Sequence, residues 1–385
     1  MILNVSKSKQ RVFLSIFFFM SGFTFSSWAS RIPTIKHTFD LNEAELGSLL
    51  FALPIGSLIG LPISGWLVSR FNSRGPLVVS YALNSLMLLC IGFTTSIYSL
   101  VAAVVVFAFT LRIFNISINT QAINLQTHFT GKIVGSFHGF WSTGGIAGIL
   151  FSTALLAMNV EVHTHFALVA VLTFVVAVYS YQFLLTDDKT ARGNKLKLGK
   201  PDPIIVMLGV LAFLSSICEG GMFDWSGIYF QKVLNVKIFT YGYLIFMTFM
   251  ALSRFLSDFI IQRIGMPKTY ILSATLIVIG ILLAVLAPYF WTALIGFSIV
   301  GFGTAAIIPM SFSMAGASKK YSAGLAISVI TTYSITGMLI GPPLIGYLAQ
   351  TFELRAAFIT FAICGLMIIP VSQMLFRYKN RMTNK

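Results

Sequence analysis

The chain has 385 residues, 57% of them apolar and only 10% charged, whereas ordinary soluble domains carry roughly a quarter charged residues. That is too little charge to build a soluble surface. A formal net charge of +15 suits nucleic acid when it is clustered, but here the basic residues lie in short bridges between long apolar runs, which argues against that partner.

Each apolar run is close to the ~20 residues that cross a hydrocarbon core. Backbone groups in lipid need internal partners, so the runs are expected to be helices. The ~10-residue alternating segments of a β-barrel are not found. In chain order the expected spans are 12–30, 44–68, 76–95, 99–126, 134–158, 165–185, 203–230, 239–262, 269–287, 290–314, 322–349 and 355–376. Span one has a basic start and an apolar core but no convincing small-residue cleavage site, so it is read as a retained helix. The polar run from Asp187 to Pro201 divides six spans from six. It predicts an N-terminal bundle over 1–186, a linker over 187–202 and a C-terminal bundle over 203–385.

These spans put most basic residues on one side: Lys7, Lys9, Arg11, Arg70, Arg74, Lys132, the linker cations, Arg263, Lys268, Lys319, Lys320 and the C-terminal cations through Lys385. Arg31, Lys36, Lys232, Lys237 and Arg355 fall on the other side, and Arg112 and Arg254 inside spans. By the positive-inside rule both termini are expected in the cytoplasm. Cys90, Cys218 and Cys364 show no CxxC or His spacing, so no metal or disulfide framework is indicated.

An internal repeat supports two halves. Gly65, Ser69 and Arg74 near the end of span two have the spacing of Arg254, Asp258 and Arg263 near the end of span eight, and Ser21–Trp28 parallels Cys218–Trp225. Such pseudo-symmetry is typical of transporters. The segment Gly65-Trp66-Leu67-Val68-Ser69-Arg70-Phe71-Asn72-Ser73-Arg74-Gly75 resembles the loop between helices two and three of the major facilitator superfamily. Ser69 stands where that family has an acid, and Asn72 where it has a glycine. The second half restores the acid as Asp258, with Arg254, Arg263 and Gly265 around it, and span eleven adds Gly337, Gly341-Pro342-Pro343 and Gly346. Phe137–Ser142 and Glu219–Ser226 are similar to bacterial inner-membrane permeases near the fucose permeases.

The resemblance implies an all-α integral membrane protein with twelve transmembrane helices in two pseudo-symmetric six-helix bundles, working by alternating access in a bacterial inner membrane. It implies that Gly65, Arg70, Arg74, Arg254, Asp258 and Arg263 form a conformational latch, and that helices four and seven line a substrate cavity.

Ionisable groups inside a span cost ~3 kcal/mol each on insertion scales and normally face the bundle interior or a wet cavity. Arg112, Asn115 and Asn119 follow i, i+3, i+7 spacing and share one face of span four, with Asn124 extending it. Such a stripe either lines a cavity or joins helices by polar contacts. Glu219, near the middle of span seven, is expected to pair or compete with Arg112 and to couple a proton to substrate occupancy, or else to form a permanent strut with it. Asp224 is turned about 140° from Glu219 and reads better as a helix-end contact. His138, with an unperturbed pKa near 6.5, is a second proton-coupling candidate or a structural hydrogen-bonder. Trp141, with its polar neighbours, is the tryptophan best suited to stack on a sugar ring; Trp28 and Trp225 suit the usual anchoring role. Gly135, Gly139, Gly144, Gly145 and Gly148 in span five permit close helix approach. Gly148 is followed by Ile149 rather than the proline of proton-driven drug exporters in the resembled family, which disfavours export.

The function expected is secondary transport of a small polar solute, such as a sugar or sugar acid, since amides give directional hydrogen bonds and arginine binds carboxylates bidentately. Efflux of amphipathic compounds, favoured by 36 phenylalanines and 15 methionines, and a non-transporting membrane sensor are the alternatives. No HExxH, nucleophile–base pair or GxxxxGK[ST] run is evident, so neither an enzyme nor direct ATP drive is expected. No cofactor is expected beyond an ion gradient, with protons favoured. The expected partners are the solute and the bilayer, without nucleic acid, and the chain is expected to be a monomer.

Overall fold

The computed structural model describes residues 6–129, 133–186, 202–316 and 323–383. Lys132, Lys319, Lys320, Lys385 and the linker apart from Asp202 lie outside them. Among the described residues the structure is helical, without strands.

In chain order the helices are α1 (Lys7–Ala29), α2 (Ile32–Thr38), α3 (Glu43–Leu50), α4 (Ala52–Phe71), α5 (Arg74–Gly92), α6 (Ile97–Gln126), α7 (Val134–Ala157), α8 (Val162–Ser180), α9 (Pro203–Lys232), α10 (Tyr241–Leu286), α11 (Phe290–Thr304), α12 (Ile307–Gly316), α13 (Ala323–Phe352), α14 (Leu354–Ala357) and α15 (Ile359–Thr383). Their starts follow local chemistry. Ser96 caps α6, and Asp202 caps α9 just before Pro203, whose missing N–H is not needed in a first turn. Asn42 and Glu45 form a reciprocal capping box on α3.

Eleven helices among the described residues are long and apolar enough to cross a membrane. The sequence predicts twelve spans, and the difference falls in α10. This helix runs for 46 residues and is interrupted at Gly265, whose φ of 79° is non-helical. It takes in the expected spans 239–262 and 269–287, and only the part Phe259–Leu286 is among the eleven. Two other expected spans cross an element boundary without losing their continuity: 44–68 passes Phe51 between α3 and α4, and 290–314 passes Ala305 between α11 and α12, and they stand among the eleven as Glu43–Val68 and Phe290–Ala315.

Contacts group the chain into two compact units, Met1–Asp40 with Ala52–Asn194, and Leu41–Phe51 with Lys195–Lys385. Within the first unit α1 packs on α7, α4 on α6, and α5 on both α6 and α8. Within the second, α9 packs on α13, and α10 on α11 and α15. The α1–α7 and α9–α13 crossings use the same device. A Cβ on Gly144 would collide with the Phe19 carbonyl, and one on Gly337 with the Phe213 carbonyl, so only glycine lets these backbones approach. Gly148 meets Phe23 at the first crossing in the same way, and Gly145 lies against Gly22, which the sequence reading did not single out. Gly139, expected to act likewise, has nothing within 4 Å of a Cβ placed on it.

Helix α3 belongs to the second unit through three contacts. Its buried Glu43 forms an ion pair with Lys232 at the end of α9, Gly47 lies against Gly346 of α13, and Ser48 shares a 3.2 Å hydrogen bond with Tyr347.

Candidate functional site

In the first unit α6 carries the polar stripe. Arg112, Asn115 and Asn119 are half-buried and share a face, as their spacing requires. Asn119 donates through Nδ2 to the carbonyl of Asn115 at 2.7 Å, so its amide is partly committed to its own helix. The side-chain amide of Asn115 makes no hydrogen bond among the described residues. Nor does the guanidinium of Arg112, whose Nε is buried without a partner. Gly60 of α4 makes room for this arginine: a Cβ there would stand 3.0 Å from Cβ of Arg112. The stripe therefore combines a spare cation with a spare amide, on a helix otherwise packed through Phe107, Phe114 and Ile118.

Helix α7 holds the other two candidates of this unit. Trp141 is half-buried, its ring centroid 6.3 Å from that of Phe25. His138 is exposed and sits edge-on to Phe18 at 5.5 Å. Trp28 and Trp225 are not anchors at a surface: both are buried, Trp28 between Phe107 and Phe166.

The second unit supplies a buried ion pair. Glu219 of α9 is 7% exposed and accepts from a terminal nitrogen of Arg254 of α10 at 3.1 Å. The sequence reading set Arg112 against this carboxylate and gave Arg254 to the latch; in the structure the carboxylate's partner is Arg254. One arginine-to-carboxylate bond stabilises the buried charge that a lone Glu219 would leave. The side chain of Asp258 lies outside the described part. Asp224 is buried inside α9, more than two turns before its last residue Lys232, and makes no hydrogen bond among the described residues, so it is not a helix-end contact.

Of the remaining latch residues, Arg263 lies on α10, 5.1 Å over the Phe259 ring, Gly65 and Arg70 are in the last turns of α4, and Arg74 starts α5 after the α4–α5 turn. Asn72 adopts φ 62°, the left-handed region that asparagine tolerates better than most residues, where the resembled family has glycine. Its Nδ2 donates to the carbonyl of Thr186 at 2.9 Å. Arg74 donates through Nε to the carbonyl of Tyr181 at 2.9 Å and lies 3.9 Å over that ring. These bonds tie the turn to the segment after α8. Arg70 is exposed beside Trp66 and Phe71, and Gly65 has open space around it. In α10 Gly265 takes the positive φ that Asn72 takes here.

Sequence reasoning missed a buried arginine. Arg31, at the α1–α2 junction, is 2% exposed and bonded to His165 of α8. The adjoining Ser27, Ser30 and Thr34 at helical spacing were the available signal.

Eleven helices among the described residues that are long and apolar enough to cross a membrane define a multi-pass helical membrane protein. Residues 12–269 and 243–383 match the Major Facilitator Superfamily, and the chain belongs to that superfamily of transporters. An uncharacterized MFS-type transporter of Yersinia pestis is 29% identical over 351 residues, 91% of each chain. The membrane protein MosC of Rhizobium meliloti is 27% identical, over 94% of this chain and 89% of its own. Among solved structures, a bacterial homologue of the human lysosomal transporter Spinster, inward-facing and occupied, superposes with a TM-score of 0.79 at 15% identity, covering 96% of this chain and 97% of its own. The nucleoside transporter NupG gives 0.77 at 14% identity, covering 96% and 99%. At such identities these two structures speak to fold alone.

Proposed function

We propose that the protein is a secondary transporter, not an enzyme, for a small polar solute bearing a carboxylate, such as a sugar acid. The observation that carries this reading is Arg112, a cation in a membrane span with no hydrogen-bond partner among the described residues. A charge at that depth is costly, and a solute carboxylate is the partner its planar fork fits. Asn115, on the same face and with a side-chain amide that makes no hydrogen bond among the described residues, adds a directional contact for a hydroxyl. Trp141 offers a flat apolar face to a sugar ring. Glu219 and Arg254 suit proton coupling: a proton on the carboxylate removes the charge that holds the arginine, so the pair has two states that a solute cycle can use. His138 is a second proton-coupling candidate.

The proposal extends to alternating access driven by a proton gradient, with no cofactor, in a monomer of a bacterial inner membrane with both termini in the cytoplasm. The asymmetry of basic residues supports that orientation. Within the superfamily the segments 137–142 and 219–226 favour a place near the fucose permeases.

The test is thermal stabilisation of purified protein by a panel of sugar acids, sugars, nucleosides and small carboxylates, since selective binding raises apparent stability. A carboxylated hit should be lost in Arg112→Gln and weakened in Asn115→Ala. A hit that survives Arg112→Gln unchanged removes the carboxylate reading. No hit, together with drug sensitivity in a deletion strain, replaces it with efflux.

A further inference from the structure

A cavity of about 600 Å³ lies at the first turns of α1, within the first unit. Its α1 wall is formed by Ser8, Arg11, Val12, Ser15, Ile16 and Phe19, at i, i+3, i+4, i+7, i+8 and i+11, so a single face of the helix lines it. Phe140 of α7 and Phe129, just after α6, complete it. The opening follows from the α1–α7 crossing. The two helices are pinned together where Gly22 and Gly144 allow contact, and the cavity opens before that point in both helices.

Polarity changes along this wall. At one end Arg11 is half-buried and has no acidic partner among the described residues; it donates to Oγ of Ser136 at 3.4 Å and lies 5.8 Å over the Phe129 ring. Both contacts leave its charge unneutralised. Ser15 adds little polarity, because its hydroxyl donates to the carbonyl of Arg11. Beyond it, Val12, Ile16, Phe19 and Phe140 offer only carbon. From Ser8 to Phe19 the wall runs about 16 Å along the helix, at ~1.5 Å per residue.

We propose that this cleft is a binding site for an anionic phospholipid, with the phosphate on Arg11 and one acyl chain lying along Val12, Ile16, Phe19 and Phe140. The charge at the helix start matches an anionic headgroup, and the apolar wall continues inward by the length of a substantial part of an acyl chain. Lys7 and Lys9 precede Arg11 on α1 and raise the local concentration of anionic lipid, as basic clusters beside a span do. They are not part of the cavity wall, so the site is distinguishable from their general attraction. It is also separate from the solute site, which rests on Arg112.

The experiment uses the full chain in neutral detergent, with phosphatidylglycerol, phosphatidylcholine and dodecyl phosphate as probes, read by thermal shift and by lipid retained in native mass spectrometry. Phosphatidylglycerol should stabilise the protein more than phosphatidylcholine, and its retention should fall about tenfold in Arg11→Gln, the loss of one charge-assisted hydrogen bond. Arg11→Lys should keep most of the preference, while Lys9→Gln, which removes only the general attraction, should reduce it far less than Arg11→Gln does. Phe140→Ala should weaken both phospholipids, since it shortens the apolar wall. Should Arg11→Gln prove too unstable to purify, Arg11→Lys and Phe140→Ala carry the same comparison. Equal retention of the two phospholipids, or a preference lost equally in Lys9→Gln, overturns the proposal. Dodecyl phosphate binding as tightly as phosphatidylglycerol overturns it as well, in favour of a soluble amphiphile.

Discussion

Arg31 donates through Nε to Nδ1 of His165 at 3.0 Å, and both side chains are buried. The acceptor role of Nδ1 puts the ring proton on Nε2, which faces Oγ of Ser152 at 3.4 Å. The same guanidinium donates to the carbonyl of Val160 at 2.8 Å. A cation with no acidic partner among the described residues is thus held by a ring nitrogen and a backbone oxygen, joining the end of α1 to α8.

His165→Phe leaves the buried Nε without its acceptor. It should lower stability by about 2–3 kcal/mol, the cost of an unmet hydrogen bond to a charged group. His165→Gln, which returns an acceptor, should recover part of the loss in thermal unfolding. Equal losses in both variants would assign the effect to ring packing against Phe151 and Phe166 instead.

The Glu219–Arg254 pair makes a prediction by double-mutant cycle. Arg254→Ala strands a buried carboxylate, and breaking a buried pair costs about 3–5 kcal/mol. Arg254 is 32% exposed, so the lower end of that range is expected. Adding Glu219→Gln to Arg254→Ala should restore much of the stability. Under the proton-coupling proposal Glu219→Gln alone should also flatten the pH dependence of transport; a profile identical to wild type would remove Glu219 from the coupling role.

Two glycines of α7 should behave oppositely. Gly144→Ala drives a Cβ into the Phe19 carbonyl and should cost several kcal/mol or abolish folded yield, because backbone cannot yield as a side-chain tip does. Gly139→Ala meets open space and should leave the melting temperature unchanged or slightly raised. Similar losses at both positions would mean that the α1–α7 crossing is not what needs glycine.

At the α4–α5 turn, Asn72→Val forces a β-branched residue to φ 62° and should cost about 1–2 kcal/mol. Asn72→Gly relieves the backbone but loses the bond to Thr186, so its stability should lie near wild type. Chemical denaturation of both variants checks the order, and a harmless Asn72→Val would show that the turn relaxes.

Much of this arrangement is legible in the sequence because membrane helices declare themselves by length and apolarity. Gly144 and Gly148 are recognisable as a close-approach face, since small residues four apart can only serve a neighbouring backbone. The stripe of Arg112, Asn115 and Asn119 is legible because helical periodicity alone puts the three on one face. The partner of Glu219 is not, because Arg254 lies 35 residues away on another helix and pairing depends on how each helix is rotated. Spacing gives Arg254 the neighbour Asp258 on its own helix, and the repeat gives it a latch role, and neither signal points to α9. Trp28 and Trp225 were misplaced for the same reason, since a tryptophan near a helix end looks identical from sequence whether it meets a headgroup or the neighbouring helix.

By itself the sequence determined that the chain crosses a membrane repeatedly as helices, where most of those helices start and stop, and which faces carry polar groups, because lipid forces every backbone bond inside its own segment. Only the tertiary structure decided that Arg254 meets Glu219, that Arg31 meets His165, that α3 joins the second unit through Glu43 and Lys232, and that a cleft opens beside Arg11. Those contacts depend on helix rotation and crossing, which in lipid are set by side-chain fit between helices rather than by the apolarity that all of them share.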